Sequence, residues 1–184
     1  MTTTLGIAAI AIWIGFEIGI RRPGAASSLR GTEPDRASTP LLVAAYLLAT
    51  ALPLALARTG IGSIGDAAWI GVGVAGLGLL VRGWAMRTLG ASYTRNLRTA
   101  PGQQLVTRGP YRWVRHPGYA GSLAVWIGAT LAFHNWIAAL IVAAVMGLAY
   151  GWRIRSEEEL LAEHFGDAYR AYAAHTARLV PHVF

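Results

Sequence analysis

Five apolar runs constrain the fold of this chain more than any other feature, because each approaches the length of a helix that crosses a membrane. A helix spans the hydrocarbon core with roughly 17–25 residues. Only His134 and Asn135 separate the fourth run from the fifth, which predicts a tight helical hairpin. The sequence therefore predicts an all-α integral membrane bundle of five transmembrane helices, in a single domain over residues 1–184. The runs are Thr3–Ile20, Pro40–Ala57, Ala67–Met86, Tyr119–Phe133 and Trp136–Trp152.

Composition agrees with a membrane location. The chain is 54% hydrophobic and only 14% charged, whereas a soluble domain carries about 25% charged residues. It has no cysteine, which excludes disulfides, thiolate metal sites and cysteine nucleophiles, and we expect no metal site. The net charge of +7 could suggest nucleic-acid binding. However, most arginines lie beside the apolar runs, where topology selection requires them, so no nucleic-acid partner is expected.

The arginines also predict the orientation of the chain. The N-terminus has none, the connection 21–36 has four, Arg58 stands alone, the connection 87–115 has six, the hairpin turn has none and the C-terminal tail has four. Because positive loops stay on the cytoplasmic side, this alternation predicts an N-terminus outside and a C-terminus in the cytoplasm, in the inner (plasma) membrane. The first run should be a retained helix and not a signal peptide, since Arg21 and Arg22 follow it instead of preceding it.

This topology divides the domain into three N-terminal spans, residues 1–86, and a polar half, residues 87–184. In the polar half, the segments 87–118 and 153–184 should face the cytoplasm together and could form one site. Two charged residues fall within the apolar runs, Glu17 and Arg82. Each is placed about one turn from the cytoplasmic end, where snorkelling tolerates a charge, and Glu17 could pair with Arg21. Both a structural and a substrate-binding role stay open for them.

Four glycines in the third run predict that another helix approaches it closely. They are Gly71, Gly73, Gly76 and Gly78, and small residues of this kind let helix backbones come together in membranes. A phosphate-binding glycine loop is the alternative, but it is disfavoured inside an apolar helix.

The most distinctive polar segment is LVTRGPYRWVRHPGYAG, residues 105–121. It concentrates Tyr111, Arg112, Arg115, His116 and Tyr119 in nine residues at the edge of the fourth run. A proline restricts the residue before it and is favoured at the start of a helix, so His116 should lie at a helix N-terminus, which attracts anions. We therefore expect an ordered cap over the cytoplasmic membrane surface.

The tail from residue 153 is the second polar segment. Its apolar residues recur at near-helical spacing, which is also compatible with a helix lying on the membrane surface. Arg153 and Glu157 are one turn apart and share a helix face. A carboxylate there could accept hydrogen bonds from a ligand amine or ribose, and the guanidinium could bind a carboxylate.

Three segments together, LVTRGPYRWVRHPGYAG, RIRSEEELLAEHFGDAYRAY and RLVP, resemble the isoprenylcysteine carboxyl methyltransferase family and its phospholipid N-methyltransferase relatives. The resemblance covers roughly residues 89–184 and implies a cytosolic S-adenosylmethionine pocket, reached by a lipid-like acceptor from within the bilayer. Ala177 is a departure, since the family often has proline there, and it puts the path of the tail in question. The implied cofactor contacts are Asn96, Gln103, Gln104, Leu105, Val106, Tyr111, His116, Pro117, Gly118, Tyr119 and Glu157.

The resemblance implies a methyltransferase that acts on a lipid-like acceptor, most simply a carboxylate that becomes a methyl ester. Arg153 matches a residue that the family uses towards the acceptor, and we expect it to position an anion. Glu158 is the candidate general base, which an amine acceptor would need. Three alternatives stay open: a phospholipid amine N-methyltransferase, an NADPH-dependent sterol-reductase-like enzyme and a non-catalytic lipid-binding membrane protein. The sequence makes no prediction of the oligomeric state.

Overall fold

The computed structural model of this chain describes residues 1–19, 38–57, 59–90 and 104–181. Several residues used above lie outside these ranges: the connection 21–36, Arg58, Asn96 and Gln103. Within the described ranges the secondary structure is helical apart from two isolated β-bridges, Ser63–Asn135 and Val114–Ala177. The prediction of an all-α fold is confirmed.

Six α-helices and two short 3₁₀ helices make up the described fold. Each predicted apolar run forms one of the first five α-helices, and the sixth lies in the polar tail. The α-helices are α1 Thr2–Gly19, α2 Ser38–Ala57, α3 Ala68–Leu89, α4 Pro117–Ala132, α5 Trp136–Phe165 and α6 Asp167–His175; the 3₁₀ helices are Gly65–Ala67 and Gly109–Arg112.

Two helical stretches in the described part of the chain are long and apolar enough to cross a membrane, judged by length and composition. They are Gly65–Leu89, which joins the first 3₁₀ turn to α3, and Trp136–Phe165, which is α5. The stretches Thr2–Glu17 and Pro40–Leu56 are apolar but shorter. The predicted number of five membrane spans thus goes beyond what helix length alone establishes.

Helix α5 continues past the predicted end of its membrane span. Its apolar part ends near Trp152, but the helix runs on through the charged sequence RIRSEEELLAEHF to Phe165. Arg, Glu, Leu and Ala all favour helix, and this stretch contains neither glycine nor proline. The helix stops at Gly166, whose positive φ of 54° suits glycine. One rigid helix therefore carries Arg153 and Glu157 out of the apolar part of the bundle.

The predicted hairpin between α4 and α5 is confirmed, and its turn is held by polar side chains. The side-chain oxygen of Asn135 caps α5, and its amide donates to the carbonyl oxygen of Ile61 at 2.7 Å. His134 has a positive φ of 63°, and its ring nitrogens lie 2.9 Å from the Gly65 carbonyl oxygen and 2.6 Å from the Thr2 hydroxyl. The turn thus fastens the starts of α1 and α3 to the hairpin.

Helices α3 and α4 pack backbone to backbone through two of the four predicted glycines. A Cβ on Gly71 would lie 2.5 Å from the carbonyl oxygen of Gly128, and one on Gly78 would lie 2.6 Å from a carbonyl oxygen of α4. No room exists there for a side chain. In contrast, nothing lies within 4 Å of a Cβ placed on Gly73 or Gly76, so the prediction holds only for the face that bears Gly71 and Gly78.

An aromatic cluster joins the first two helices to the α4–α5 hairpin. Trp13 of α1 lies 5.0 Å from Tyr46 of α2 and 5.3 Å from Trp126 of α4, measured between ring centroids. Tyr46 also stacks on Trp126 at 5.3 Å, and its hydroxyl lies 3.3 Å from that of Tyr150 on α5. The cluster fills the centre of the bundle beneath the polar end.

Glu17 and Arg82 form an ion pair between α1 and α3. Arg82 is only 6% exposed, so the prediction that its side chain snorkels to the membrane surface is wrong. The side chain turns inward because Glu17, Ser122 and the Gly118 carbonyl all accept from it there. The alternative partner, Arg21, lies outside the described residues.

Candidate functional site

The candidate site lies where α4 begins and the polar half of α5 passes beside it. His116 immediately precedes α4 and is 4% exposed, and Pro117 is the first residue of the helix. The His116 carbonyl accepts hydrogen bonds from the backbone N–H groups of Tyr119 and Ala120, both at 3.1 Å. The proline and these two bonds fix the first turn of α4, which sets the directions of the His116 and Tyr119 side chains.

Glu158 is the centre of a cluster of hydrogen-bond donors at this point. Its Oε1 accepts from Arg115 Nε at 2.8 Å and from His116 Nε2 at 3.2 Å, and its Oε2 accepts from Arg178 Nη2 at 2.7 Å. Because a carboxylate only accepts hydrogen bonds, His116 carries a proton on Nε2. The cluster joins α5 to the segment before α4 and to the C-terminal tail.

Glu158 stands six residues beyond Trp152, or about 9 Å along the helix axis, and so outside the apolar part of α5. Burial alone would raise the pKa of its carboxyl group. Hydrogen bonds from His116, Arg115 and Arg178 outweigh that effect and lower the pKa from 4.5 to about 2. The carboxylate is therefore ionised at neutral pH, which makes it a firm anchor and a weak proton acceptor.

The C-terminal tail lies along the Arg-His-Pro segment and is fastened to it. The backbone N–H of Arg115 donates to the carbonyl oxygen of Ala177 at 2.8 Å, and that of His116 donates to Arg178 at 3.1 Å. The Arg115 guanidinium also donates to the carbonyl oxygens of Ala173, at 2.8 Å, and Thr176. Ala177, where the resemblance put the path of the tail in question, lies in register beside Val114.

Helix α6 packs against the same segment through its tyrosines. Tyr172 donates to the carbonyl oxygen of Tyr111 at 2.6 Å, and Tyr169 is almost fully buried. Burial raises the pKa of Tyr172 to about 12, although the nearby Arg115 acts in the opposite direction. The hydroxyl thus stays protonated and donates throughout the neutral range. These contacts favour a tail that closes the site over a tail that lies free on the membrane surface.

Tyr119, Arg153 and Glu157 form the second half of the site, nearer the bundle centre. Tyr119 donates to Glu157 Oε2 at 2.9 Å, and its side chain also forms a hydrogen bond with Arg153. Arg153 is only 7% exposed. The ring of Tyr119 lies 5.9 Å from that of His116 and 5.2 Å from that of Tyr150. A carboxylate, a guanidinium and an aromatic surface therefore meet at one place.

The structure brings most of the predicted site residues to this end of the bundle, but it describes some more fully than others. Gln104 is exposed, and Leu105 and Val106 are half-buried, in the irregular segment before the second 3₁₀ helix. Tyr111 is buried in that 3₁₀ helix. Those grouped around the start of α4 are His116, Pro117, Gly118, Tyr119, Arg153, Glu157 and Glu158.

Three side chains that the site uses have contacts that the sequence does not indicate. Arg115 stands in the Arg-His-Pro motif, and it holds both Glu158 and the tail. Arg178 stands in the RLVP segment and closes the ring around Glu158. Tyr150 lies in an apolar run and carries no local signal of its contact with Tyr119. Among the described residues, no group of three or more His, Asp or Glu side chains is arranged to hold a metal ion.

A profile of the isoprenylcysteine carboxyl methyltransferase (ICMT) family matches residues 70–163, just over half of the chain. These residues include most of α3, the whole α4–α5 hairpin and the polar part of α5 up to Glu163. The site described above thus lies largely inside the matched region, whereas α1 and α2 lie outside it.

Individual proteins and one solved structure agree with this match. The chain is 36% identical over 109 residues to protein-S-isoprenylcysteine O-methyltransferase B of Arabidopsis thaliana, covering 58% of this chain and 55% of that protein. It is 30% identical over 97 residues to uncharacterized protein YpbQ of Bacillus subtilis (strain 168), covering 52% and 58%. The chain thus spans about half the length of the curated relatives it matches.

One solved structure that matches is that of the eukaryotic intramembrane Ras methyltransferase ICMT. It matches with a TM-score of 0.61 at 24% identity, over 84% of this chain and 55% of that one. This likeness extends beyond the matched sequence region, so the fold is shared by most of the described helices.

Proposed function

Because the chain belongs to the isoprenylcysteine carboxyl methyltransferase family, a family of integral membrane proteins, we propose that it transfers the methyl group of S-adenosylmethionine to the carboxylate of a lipid-like acceptor. The observation that carries this proposal is the meeting of Tyr119, Arg153 and Glu157 at the start of α4. Relatives named as protein-S-isoprenylcysteine O-methyltransferases support the reaction class.

The donor set of the site fits S-adenosylmethionine. Its sulfonium is a cation, and cations are attracted to aromatic faces such as that of Tyr119. Glu157 offers carboxylate oxygens for the amine or the ribose hydroxyls, and the dipole at the start of α4 favours a carboxylate. When bound, the cofactor supplies an already activated methyl group, so the protein needs only to align the acceptor and exclude water.

Arg153 has the position and charge to orient the acceptor. It is almost fully buried, one helical turn before Glu157 on α5, on the bundle side of the site. A guanidinium in this setting forms strong paired hydrogen bonds with a carboxylate and repels a cationic amine. We therefore favour a carboxylate acceptor, which becomes a methyl ester, over the amine of a phospholipid. The apolar surfaces of the neighbouring helices suit a lipid tail that enters from the bilayer.

Glu158 was the candidate base in the sequence. Its lowered pKa and its hydrogen bonds from Arg115, His116 and Arg178 instead suit a residue that holds His116 and Arg115 in place. A carboxylate acceptor is already deprotonated at neutral pH and needs no base. We therefore assign Glu158 to the support of the site in the proposed esterification.

We further propose that α1 to α5 all cross the membrane, with the C-terminus in the cytoplasm. Exposed tryptophans support this placement: Trp69 and Trp84 on α3, and Trp136 and Trp152 on α5. Each pair is separated by about 22–24 Å at 1.5 Å per residue, and tryptophan is enriched at the two membrane interfaces. The Trp136 backbone N–H donates to Gly62, just before α3, so α3 and α5 begin at the same side.

The first test is equilibrium binding in detergent. Calorimetry should show S-adenosylmethionine or its demethylated product binding at micromolar strength, while NADPH should not bind. Folded protein that gives no heat with either methyl-transfer ligand would refute the proposal, and binding of NADPH alone would favour the reductase alternative.

The second test identifies the acceptor with a labelled methyl group. Isoprenoid and fatty carboxylates of graded chain length should accept it, and alkali should release the label as methanol, which distinguishes a methyl ester from an N-methyl product. Arg153→Ala should abolish turnover, whereas the exposed neighbour Arg155→Ala should not. Alkali-stable product on a phospholipid, or turnover that ignores tail length, would refute the carboxylate assignment.

A further inference from the structure

Arg82 is a buried cation that the proposed reaction does not use. It lies in α3 and is 6% exposed, surrounded by α1 and α4. One guanidinium nitrogen, Nη1, donates to the carbonyl oxygen of Gly118 at 3.0 Å and to the hydroxyl of Ser122 at 2.5 Å. The other, Nη2, forms the ion pair with Glu17. A buried arginine is costly in an apolar bundle, and an ionisable residue in that setting is a candidate for a functional role.

The partners of Arg82 on α1 form a matched set. Glu17 supplies the opposite charge, and Trp13, one turn earlier, presents its ring 5.6 Å from the guanidinium carbon. The Trp13 indole N–H donates to the same Ser122 hydroxyl at 3.0 Å. Helix α1 lies outside the region that matches the family, residues 70–163, yet it provides the counter-charge for a cation inside that region.

On α4, Arg82 binds Gly118, which belongs to the candidate site. Gly118 is the second residue of α4 and stands between His116 and Tyr119. Its carbonyl group therefore belongs to the turn that sets the direction of both side chains. At this level α3 and α4 are in direct contact, since a Cβ on Gly121 would lie 2.8 Å from the backbone nitrogen of Arg82. A shift of the guanidinium would thus be transmitted to the first turn of α4.

We infer that Arg82 is a positioning residue of the methyl-transfer site, which holds the first turn of α4 through the Gly118 carbonyl, and that Glu17 of α1 is its counter-charge. The inference rests on the proposed function, because its consequence is the placement of His116 and Tyr119 for S-adenosylmethionine. It extends the site to a helix that the family match does not include.

The test separates positioning from mere stability. In the double variant Glu17→Met/Arg82→Met, two apolar side chains of similar volume replace the ion pair, an exchange that buried pairs often tolerate without loss of stability. We expect the melting temperature, measured by tryptophan fluorescence, to be close to that of the wild type. We also expect S-adenosylmethionine to bind about tenfold more weakly, the effect of one lost charged hydrogen bond.

Arg82→Lys is the second variant, because it keeps the charge balance and so protects the fold. The lysine side chain is shorter and ends in a single ammonium nitrogen. It cannot bind Glu17 and the Gly118 carbonyl at the same time, as the two guanidinium nitrogens of Arg82 do. Its dissociation constant should lie between those of the wild type and the double variant. Thr130→Val is the matched control: it removes a buried hydroxyl from the opposite end of α4 and should leave cofactor affinity unchanged.

The readout is the dissociation constant of the folded fraction, measured by calorimetry. A purely structural role would lower the melting temperature and the active fraction but would not change this constant. Wild-type affinity in either folded Arg82 variant overturns the inference, and if the double variant does not fold, Arg82→Lys decides alone. Failure of the wild type to bind S-adenosylmethionine would instead refute the proposed function.

Discussion

Replacing Glu158 by glutamine removes one negative charge from the point where Arg115, His116 and Arg178 converge. The amide has nearly the same size as the carboxylate, so packing should change little. Its single oxygen can accept from at most two of the three donors, while its NH₂ group faces the remaining one. We expect Glu158→Gln to loosen the attachment of the tail to the segment before α4 and to lower the stability of the protein.

The size of this effect follows from the pKa of the carboxyl group. Against the opposing effect of burial, hydrogen bonds from His116, Arg115 and Arg178 hold it at about 2, below its usual value of 4.5. The difference corresponds to about 3 kcal/mol at 1.36 kcal/mol per pKa unit. The side chain is still 13% exposed, and screening by solvent reduces the expected loss to about 2 kcal/mol. For a chain of this length that loss corresponds to about 4–8 °C in melting temperature.

The sign of the pH dependence provides the sharper test. A carboxyl group whose pKa is lowered by folding stabilises the folded state fully above pH 4.5, and this contribution is lost as the pH falls towards 2. The melting temperatures of the wild type and Glu158→Gln should therefore differ at pH 7 and converge progressively below pH 4.5. Tryptophan fluorescence in detergent follows the transition without a thiol dye, which this cysteine-free chain could not bind.

Glu159→Gln is the matched control, since the neighbouring Glu159 is exposed and should give a melting temperature within about 1 °C of the wild type at every pH. A difference between wild type and Glu158→Gln that stays constant from pH 7 to pH 3 would refute the reasoning. Equal melting temperatures at pH 7 would do the same.

Three further predictions follow from the packing, the site and the topology. Gly71→Ala should destabilise the protein strongly, because its Cβ would lie 2.5 Å from a carbonyl oxygen of α4. Gly73→Ala has open space around its Cβ and should be neutral or slightly stabilising. Thermal unfolding measures both effects, and equal melting temperatures would contradict the packing. Glu157→Ala should abolish binding of S-adenosylmethionine in calorimetry without unfolding the bundle, while the exposed Glu163→Ala should bind it normally. A reporter fused after Phe184 should be active in the cytoplasm, and activity only in the periplasm would contradict the charge rule.

The helices could be predicted from the sequence because a membrane-spanning helix needs a long apolar run. Such a run is recognised from the local sequence, without knowledge of contacts between distant residues. The end of α5 at Phe165 was harder to predict, because the charged residues after Trp152 favour helix as strongly as the apolar residues before it. The hairpin turn at His134 and Asn135 was apparent because two polar residues interrupt an apolar stretch. Local signals thus located the elements well.

Contacts between distant residues were beyond such signals. Glu17 had a nearer candidate partner in Arg21, and no spacing rule indicates that it meets Arg82 across the bundle. The same applies to Arg178, which reaches Glu158 only because the tail turns back along the Arg-His-Pro segment. The resemblance to a known family identified the segments of the site, but not which charges neutralise one another within it.

The division of the chain suggests where acceptor preference is set. The matched region, residues 70–163, contains His116, the whole of α4 and the part of α5 that carries Glu157. Helices α1 and α2 lie outside the match, yet Trp13 and Tyr46 pack against Trp126 directly beneath the site. The cluster also lies close to Arg153, because the Tyr46 hydroxyl is 3.3 Å from that of Tyr150, which precedes Arg153 by three residues on α5. We therefore expect Tyr46→Ala to change the preferred tail length of the acceptor while leaving S-adenosylmethionine affinity unchanged, and an unchanged chain-length profile would place acceptor selection elsewhere in the bundle.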